Sequence, residues 1–365
     1  MGRSLGRRVG LALREAGETG VDPGDVGQVV QNACVVHDIG NPPFGHSGEA
    51  AMADWFRGDE AERMRVFEGC SAVEIADLRT FEGNAHGLRV VTRLENYSHA
   101  GGMRLTAATL AAFVKYPWSS TDPRASRGKY GCFDAEREVL ASIMEACGVP
   151  RSGDGWARHP LVYLVEAADD VCYALADLED GVELGVLSFE QVEALLGEFI
   201  YDETAYRAAR DDGRALELLR SGALRAVIPA LVEHFMGQRE SLEAGEDAPP
   251  LLEGCRHGET LRAAQTLAEE EVFSHPRKVY AEIGAFQLIE DLLTSYVGAV
   301  VEAYDRPETA RTQRSRHLLR LMGNAAPSSD LRRGDAIRRV VDHVAGMTDG
   351  YAARVHARIL GRARR

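Results

Sequence analysis

His37-Asp38-Ile39-Gly40-Asn41-Pro42-Pro43-Phe44-Gly45-His46-Ser47-Gly48-Glu49 is the stretch on which the fold turns. Ahead of it, from Val26 to Val36, apolar residues recur at helical spacing. Behind it, a second helix begins near Ser47 and runs through Ala50, Met52 and Trp55. Between the two, Gly40-Asn41-Pro42-Pro43 must break the helix, because proline fixes φ and donates no backbone N–H. The sequence therefore predicts two helices joined by a rigid turn. A His-Asp pair ends the first, and His46 and Glu49 sit at i,i+3 on one face of the second.

Working outward, helical periodicity dominates and alternating β-branched runs are nearly absent, so the predicted fold is all-α. Further helices are expected over Asn84 to Leu94, Leu105 to Val114, Asp134 to Ala146, Leu161 to Asp177 and Glu282 to Val301. Pro117 to Gly131 and Gly237 to His257, rich in Pro, Gly and charge, read as loops, the first a candidate active-site loop. No internal repeat is found, and no Pro/Gly/Ser linker cuts the 365 residues into independent domains.

Composition narrows the class of protein. With 45% hydrophobic and 27% charged residues the chain can bury a large core without covalent staples. The six cysteines, Cys34, Cys70, Cys132, Cys147, Cys172 and Cys255, form no CxxC pair and read as reduced thiols of a cytoplasmic protein. The basic start has no apolar h-region and no run of 18 apolar residues occurs, which argues against secretion and membrane spanning. A net charge of −14 argues against general affinity for nucleic acid. The charge is uneven, however: Arg306, Arg311, Arg314, Arg316, Arg332, Arg333, Arg338, Arg339, Arg362, Arg364 and Arg365 make the C-terminal end arginine-rich. That end reads first as a solvated helical face and tail, and second as a site for polyphosphate, single-stranded DNA or an acidic neighbouring subunit.

The chemistry starts from the same stretch. His37 and Asp38 offer one imidazole nitrogen and one carboxylate oxygen to a divalent cation. Glu49, one turn from His46, can orient that ring and raise its basicity for proton transfer. The plainer alternative is a capping carboxylate beside a surface histidine. Downstream, Glu166-Ala167-Ala168-Asp169-Asp170-Val171-Cys172-Tyr173-Ala174-Leu175-Ala176-Asp177 places Asp169, Tyr173 and Asp177 near one stripe of an apolar helix. Carboxylates in such surroundings need a metal or a cation beside them, unless the stripe is an exposed acidic face.

Taken together, HDIGNPPFGHSGEAA, TFEGNAHGLRVVTRL and YLVEAADDVCYALADLEDG resemble, in this order, the dGTPase family of deoxynucleoside triphosphate triphosphohydrolases. The likeness continues through KYPWSS, KYGCFDAE and HPRKVYAEIGAFQLIEDLL, covering roughly residues 1–300. It implies an HD-type metal-dependent phosphohydrolase core over residues 1–185, including the 116–133 loop, and a C-terminal helical region over 186–365 with the arginine-rich end. By this resemblance the metal ligands are His37, Asp38 and Asp169, and the proton-transfer pair is His46 and Glu49. Asn84, Lys115 and Lys129 would handle the triphosphate, Tyr173 would pack on the deoxyribose with Asp177 near its 3′ hydroxyl, and Glu282 would approach the base.

The implied reaction is metal-assisted attack of water at the α-phosphate of a dNTP, dGTP first, releasing deoxynucleoside and intact triphosphate. The cofactor would be a divalent ion, Mn or Mg ahead of Fe, Co or Zn. A nucleotide or single-stranded DNA effector and a homo-oligomer are further implications, and no membrane partner is expected. One ligand departs from the pattern: the resemblance places a first metal histidine upstream of a segment like Gly2-Arg3-Ser4-Leu5-Gly6, so the chain as written is expected to bind metal poorly and hydrolyse little. His86 is the candidate replacement ligand. The competing readings are a catalytically silent dNTP- or single-stranded-DNA-responsive regulator and an HD phosphohydrolase acting on another nucleotide.

Overall fold

Asp22 begins the helix that carries His37. Its carboxylate accepts the N–H groups of Gly24 and Asp25, and Pro23 occupies the first helical position, where a missing N–H costs nothing. The computed structural model describes every residue except 97–100, 329 and 363–365, and leaves out the side chain of residue 277. Arg364 and Arg365 therefore lie outside the described residues. The fold is all-α, as the periodicity predicts. Among the described residues, strand is confined to a hairpin of Arg151–Ser152 with Gly155–Trp156 and one isolated bridge, Ser119 to Cys132.

The chain divides into two compact units that interleave along the sequence. One takes Met1–His37, Leu105–Lys115 and Ser142–Val279; the other takes Asp38–Arg104, Tyr116–Ala141 and Tyr280–Arg365. In the first unit the Pro160–Glu183 helix packs against the Pro23–Val36, Ala107–Phe113, Asp212–Glu243 and Gly258–Leu267 helices. Its small Ala167, Ala168 and Ala174 are buried on the faces that make this crowding feasible. The Gly2–Glu15 helix lies equally close to Pro23–Val36: a Cβ on Gly6 would stand 2.7 Å from the Val26 carbonyl oxygen. Asp22→Ala is expected to lower the unfolding free energy by about 1 kcal/mol, the usual worth of an N-cap, read from the midpoint of chemical denaturation.

The loop predicted over Gly237 to His257 starts later than the sequence suggested. The Asp212–Glu243 helix continues through Gln238, Arg239 and Glu240 because Arg239 pairs with Glu243 one turn on and Leu242 is buried. Pro249 and Pro250 lie beyond its end. The 117–131 loop contains only a short 3-10 turn, Pro123–Arg127, among its helical elements. It is nevertheless fixed: Trp118 Nε1 donates to the Lys129 carbonyl at 2.9 Å, and the buried Tyr130 hydroxyl donates to the Thr80 carbonyl at 2.7 Å.

In the second unit, Met52, Trp55 and Phe56 of the Gly45–Arg57 helix enter a core with Ile289, Leu292 and Tyr296 of the Pro276–Asp305 helix and with residues of the Arg333–Ala345 helix. The turn before Gly45 is tight on both sides. Gly40 leaves no room for a side chain, since its Cβ would fall 2.1 Å from both the Gly83 carbonyl oxygen and the Gly87 nitrogen. Phe44 adopts a left-handed φ of 68°, uncommon for a residue with a bulky side chain, and its N–H is held by the Asp349 carboxylate at 2.9 Å.

Candidate active site

His37 caps the Pro23–Val36 helix, and its Nδ1 donates to the Cys34 carbonyl at 2.7 Å. A carbonyl can only accept, so a neutral ring keeps its lone pair on Nε2. Nε2 stands 2.9 Å from Oδ1 of Asp169 on the Pro160–Glu183 helix. Two acceptors at that separation repel each other unless they share a positive charge, either a proton or a metal ion. An imidazole nitrogen and a carboxylate oxygen, with the far ring nitrogen anchored by a carbonyl, make a donor pair that fits a divalent cation. Among the described residues no group of three or more His, Cys, Asp or Glu side chains is placed to hold an ion, so the fit extends to the pair and not to a full ligand set.

The same unit places the other candidates. Lys115 Nζ lies 2.9 Å from Oε1 of Glu166, a largely buried carboxylate that also pairs with Arg158. Burial pushes Glu166 upward, but the charges of Arg158 and Lys115 outweigh it and hold the carboxyl below its ordinary range. Tyr173 is exposed, and Asp177 is half-buried. Burial raises Asp177 against the opposing charge of Lys278.

Asp38 opens the second unit and is exposed. The predicted His46–Glu49 pair forms, with Nδ1 of His46 3.2 Å from Oε2 of Glu49. The histidine side chain is 85% exposed and the glutamate only 11%, so a buried carboxylate orients a ring that solvent and ligands can reach. The bond to Glu49 raises the pKa of His46 above the ordinary histidine value, with burial working against it. Burial would raise Glu49, but the bond from His46 and the charge of Lys129 hold it low. The other oxygen of Glu49 accepts the Gly83 N–H at 2.8 Å.

Lys129 and Asn84 meet at a residue that the sequence argument passed over. Oε1 of Glu82 accepts Lys129 Nζ at 2.9 Å and Asn84 Nδ2 at 2.9 Å, while Oε2 accepts the Asn84 and Ala85 N–H groups. Glu82 is the N-cap of the Gly83–Arg89 helix, and an acidic residue before Gly-Asn signals a cap but not its partners. Glu166, named only as part of an acidic stretch, is the corresponding holder of Lys115. His86 is buried within its own unit, with Nδ1 donating to the Gly40 carbonyl at 3.0 Å and Nε2 3.8 Å from Asp342. Burial depresses its pKa. Glu282 is half-buried near the start of the Pro276–Asp305 helix.

Over its whole length the chain is similar to curated proteins. A deoxyguanosinetriphosphate triphosphohydrolase-like protein of Pseudomonas aeruginosa is 42% identical over 374 residues, covering 99% of this chain and 83% of the relative. The chain belongs to this triphosphohydrolase-like family. A member from Synechocystis is 35% identical with the same coverage, and the deoxyguanosinetriphosphate triphosphohydrolase of Klebsiella pneumoniae is 29% identical over 99% of this chain and 84% of its own length. Residues 256–358 match the phosphohydrolase-associated domain, which covers the end of the chain that the sequence resemblance left out. Family membership places the chain among the dNTP triphosphohydrolases and their like-named relatives. No helix among the described residues is long and apolar enough to cross a membrane.

Proposed function

We propose that this protein hydrolyses a deoxynucleoside triphosphate, dGTP first, to the deoxynucleoside and intact inorganic triphosphate, with Mn or Mg as its divalent cofactor. The observation that carries the reading is the exposed His46 held by the buried Glu49 beside Lys129, in a chain of this family. By the family resemblance His37, Asp38 and Asp169 would hold the ion, and of these the structure brings His37 and Asp169 together; when bound, the ion would polarise the α-phosphoryl group and neutralise charge.

The protein's own side chains account for the rest. Release of intact triphosphate requires water to bond to the α-phosphorus while the bond from phosphorus to the 5′ oxygen breaks, and the departing oxygen needs a proton. His46, whose pKa is raised by its bond to Glu49, is the general acid that supplies it. Glu49 holds its ring in orientation, and Lys115 and Lys129 offset the polyphosphate charge. Asn84, Tyr173, Asp177 and Glu282 serve binding: triphosphate, deoxyribose, 3′ hydroxyl and base, in that order.

The test is incubation of the protein with each dNTP, alone and in mixtures, with Mn or Mg, followed by ion chromatography for inorganic triphosphate. Asp169→Ala should weaken metal affinity by at least about 10–100-fold, the scale seen for groups that support a ligand, and lower triphosphate release accordingly. Orthophosphate or pyrophosphate as product would point to another HD phosphohydrolase activity. Nucleotide binding without any product would point to a regulator.

A further inference from the structure

Between Glu49 and Glu82 lies a single ammonium, and the two carboxylates do not share it equally. Lys129 Nζ is 2.9 Å from Oε1 of Glu82 but 3.7 Å from Oε2 of Glu49, the same oxygen that faces His46 Nδ1 at 3.2 Å. Glu82 is 1% exposed and locked by the two backbone N–H groups of the helix it caps, so it cannot follow the lysine elsewhere. We infer that Glu82 is a positioning residue for the His46–Glu49 pair: by holding Lys129 it keeps that charge from closing on Glu49, whose carboxylate is left to orient His46.

A capping role alone would not need this arrangement, since a neutral acceptor caps a helix as well and does not require burial beside an ammonium. The charges around the pair are consistent with the division of labour. Burial opposes the charged form of Lys129, but the bond and charge of Glu82, with Glu49 assisting, together outweigh it and favour the ammonium. His46 is raised chiefly by Glu49, with Lys129 opposing and Asp38 assisting. A lysine freed from Glu82 has Glu49 as its next anion, and every step it takes toward that carboxylate weakens the hold on protonated His46.

The inference rests on His46 as the proton-transfer group, yet its test does not depend on turnover. His46 is titrated by NMR in the full chain labelled with 13C-histidine, without nucleotide or metal, the signal assigned with His46→Gln. Glu82→Gln keeps the cap and removes the charge; it should lower the His46 pKa by about half to one unit, as expected when a nearby ion pair is redistributed. In a Lys129→Met background the same substitution should have little further effect, because the charge it releases is gone. If Glu82→Gln does not fold, Glu82→Asp, which draws the charge back by one methylene, should shift His46 in the same direction by less. An unchanged His46 in the folded variant, or an equal shift with and without Lys129, overturns the inference. In turnover the alkaline limb of the kcat profile should move down by the same amount. Absence of triphosphate from the unsubstituted protein would overturn the proposed reaction and leave the titration to decide the role of Glu82.

Discussion

His46→Ala is expected to lower kcat for triphosphate release by about 10²- to 10⁴-fold, the range for loss of a general acid. At pH above the raised pKa of His46 the unfolding midpoint should stay where it is, because the side chain is 85% exposed and its removal opens no cavity. The pH dependence separates this loss from a binding defect. A general acid must be protonated, so activity should fall as pH rises through the raised pKa of His46, and that alkaline limb should vanish in the variant. Glu49→Gln should keep the limb but move it to lower pH, since the bond that raises His46 is weakened. Stability follows the same signs. The contribution of His46 is fully present below the ordinary histidine value and is lost as pH rises through the raised one. That of Glu49, whose carboxyl is held low, is present above the ordinary glutamate value and is lost as pH falls through the lowered one.

How much of this was legible in the sequence depends on how far apart the partners lie. His46 and Glu49 are one helical turn apart, so the prolines and the spacing alone predict their contact, and it forms. His37 and Asp169 meet within the first unit although they lie far apart in sequence, one capping the Pro23–Val36 helix and the other on the Pro160–Glu183 helix. Local pattern shows only that Asp169, on an apolar helix, needs a cationic or protonated partner; the resemblance supplied which one. Asp169 lies against His37 in a half-buried setting, whereas Tyr173 on the same stripe is exposed, so helical spacing by itself does not set how deeply each residue of a stripe is buried. Glu82 stayed hidden for a related reason. Its helix-capping bonds are local and readable, but its bond to Lys129 crosses 47 residues, and no periodicity encodes that distance. The misread start of the 237–257 loop is of another kind: glycine and charge looked like punctuation, yet an Arg239–Glu243 pair and a buried Leu242 carry the helix onward.

Asp342→Ala should cost about 3 kcal/mol of stability, the lower end of the range for breaking a buried pair. Asp342 lies in the segment matched by the phosphohydrolase-associated domain, on the Arg333–Ala345 helix. Both its oxygens bind the Arg89 guanidinium at 2.8 Å, and Arg89 in turn reaches Glu136 at 2.8 Å. The side chains of Arg89 and Asp342 are 11% and 10% exposed, so the pair is largely out of solvent and little screened. Truncating the aspartate strands a buried guanidinium, although Glu136 remains to limit the loss. Urea denaturation followed by circular dichroism gives the number. Asp342→Asn, which keeps one acceptor, should lose less, and the double replacement Arg89→Met with Asp342→Leu should recover part of the loss, because the buried Glu136 that Arg89 leaves behind still has Arg93 at 3.0 Å. A loss of the full 3 kcal/mol in the double variant would mean that packing, not the ion pair, carries the effect. The same carboxylate lies 3.8 Å from Nε2 of His86, whose Nδ1 holds the Gly40 carbonyl. A loosened Asp342 therefore reaches the turn that sets His46 in place. Activity in Asp342→Ala should consequently fall as well, by far less than in His46→Ala, since the acid itself is still present.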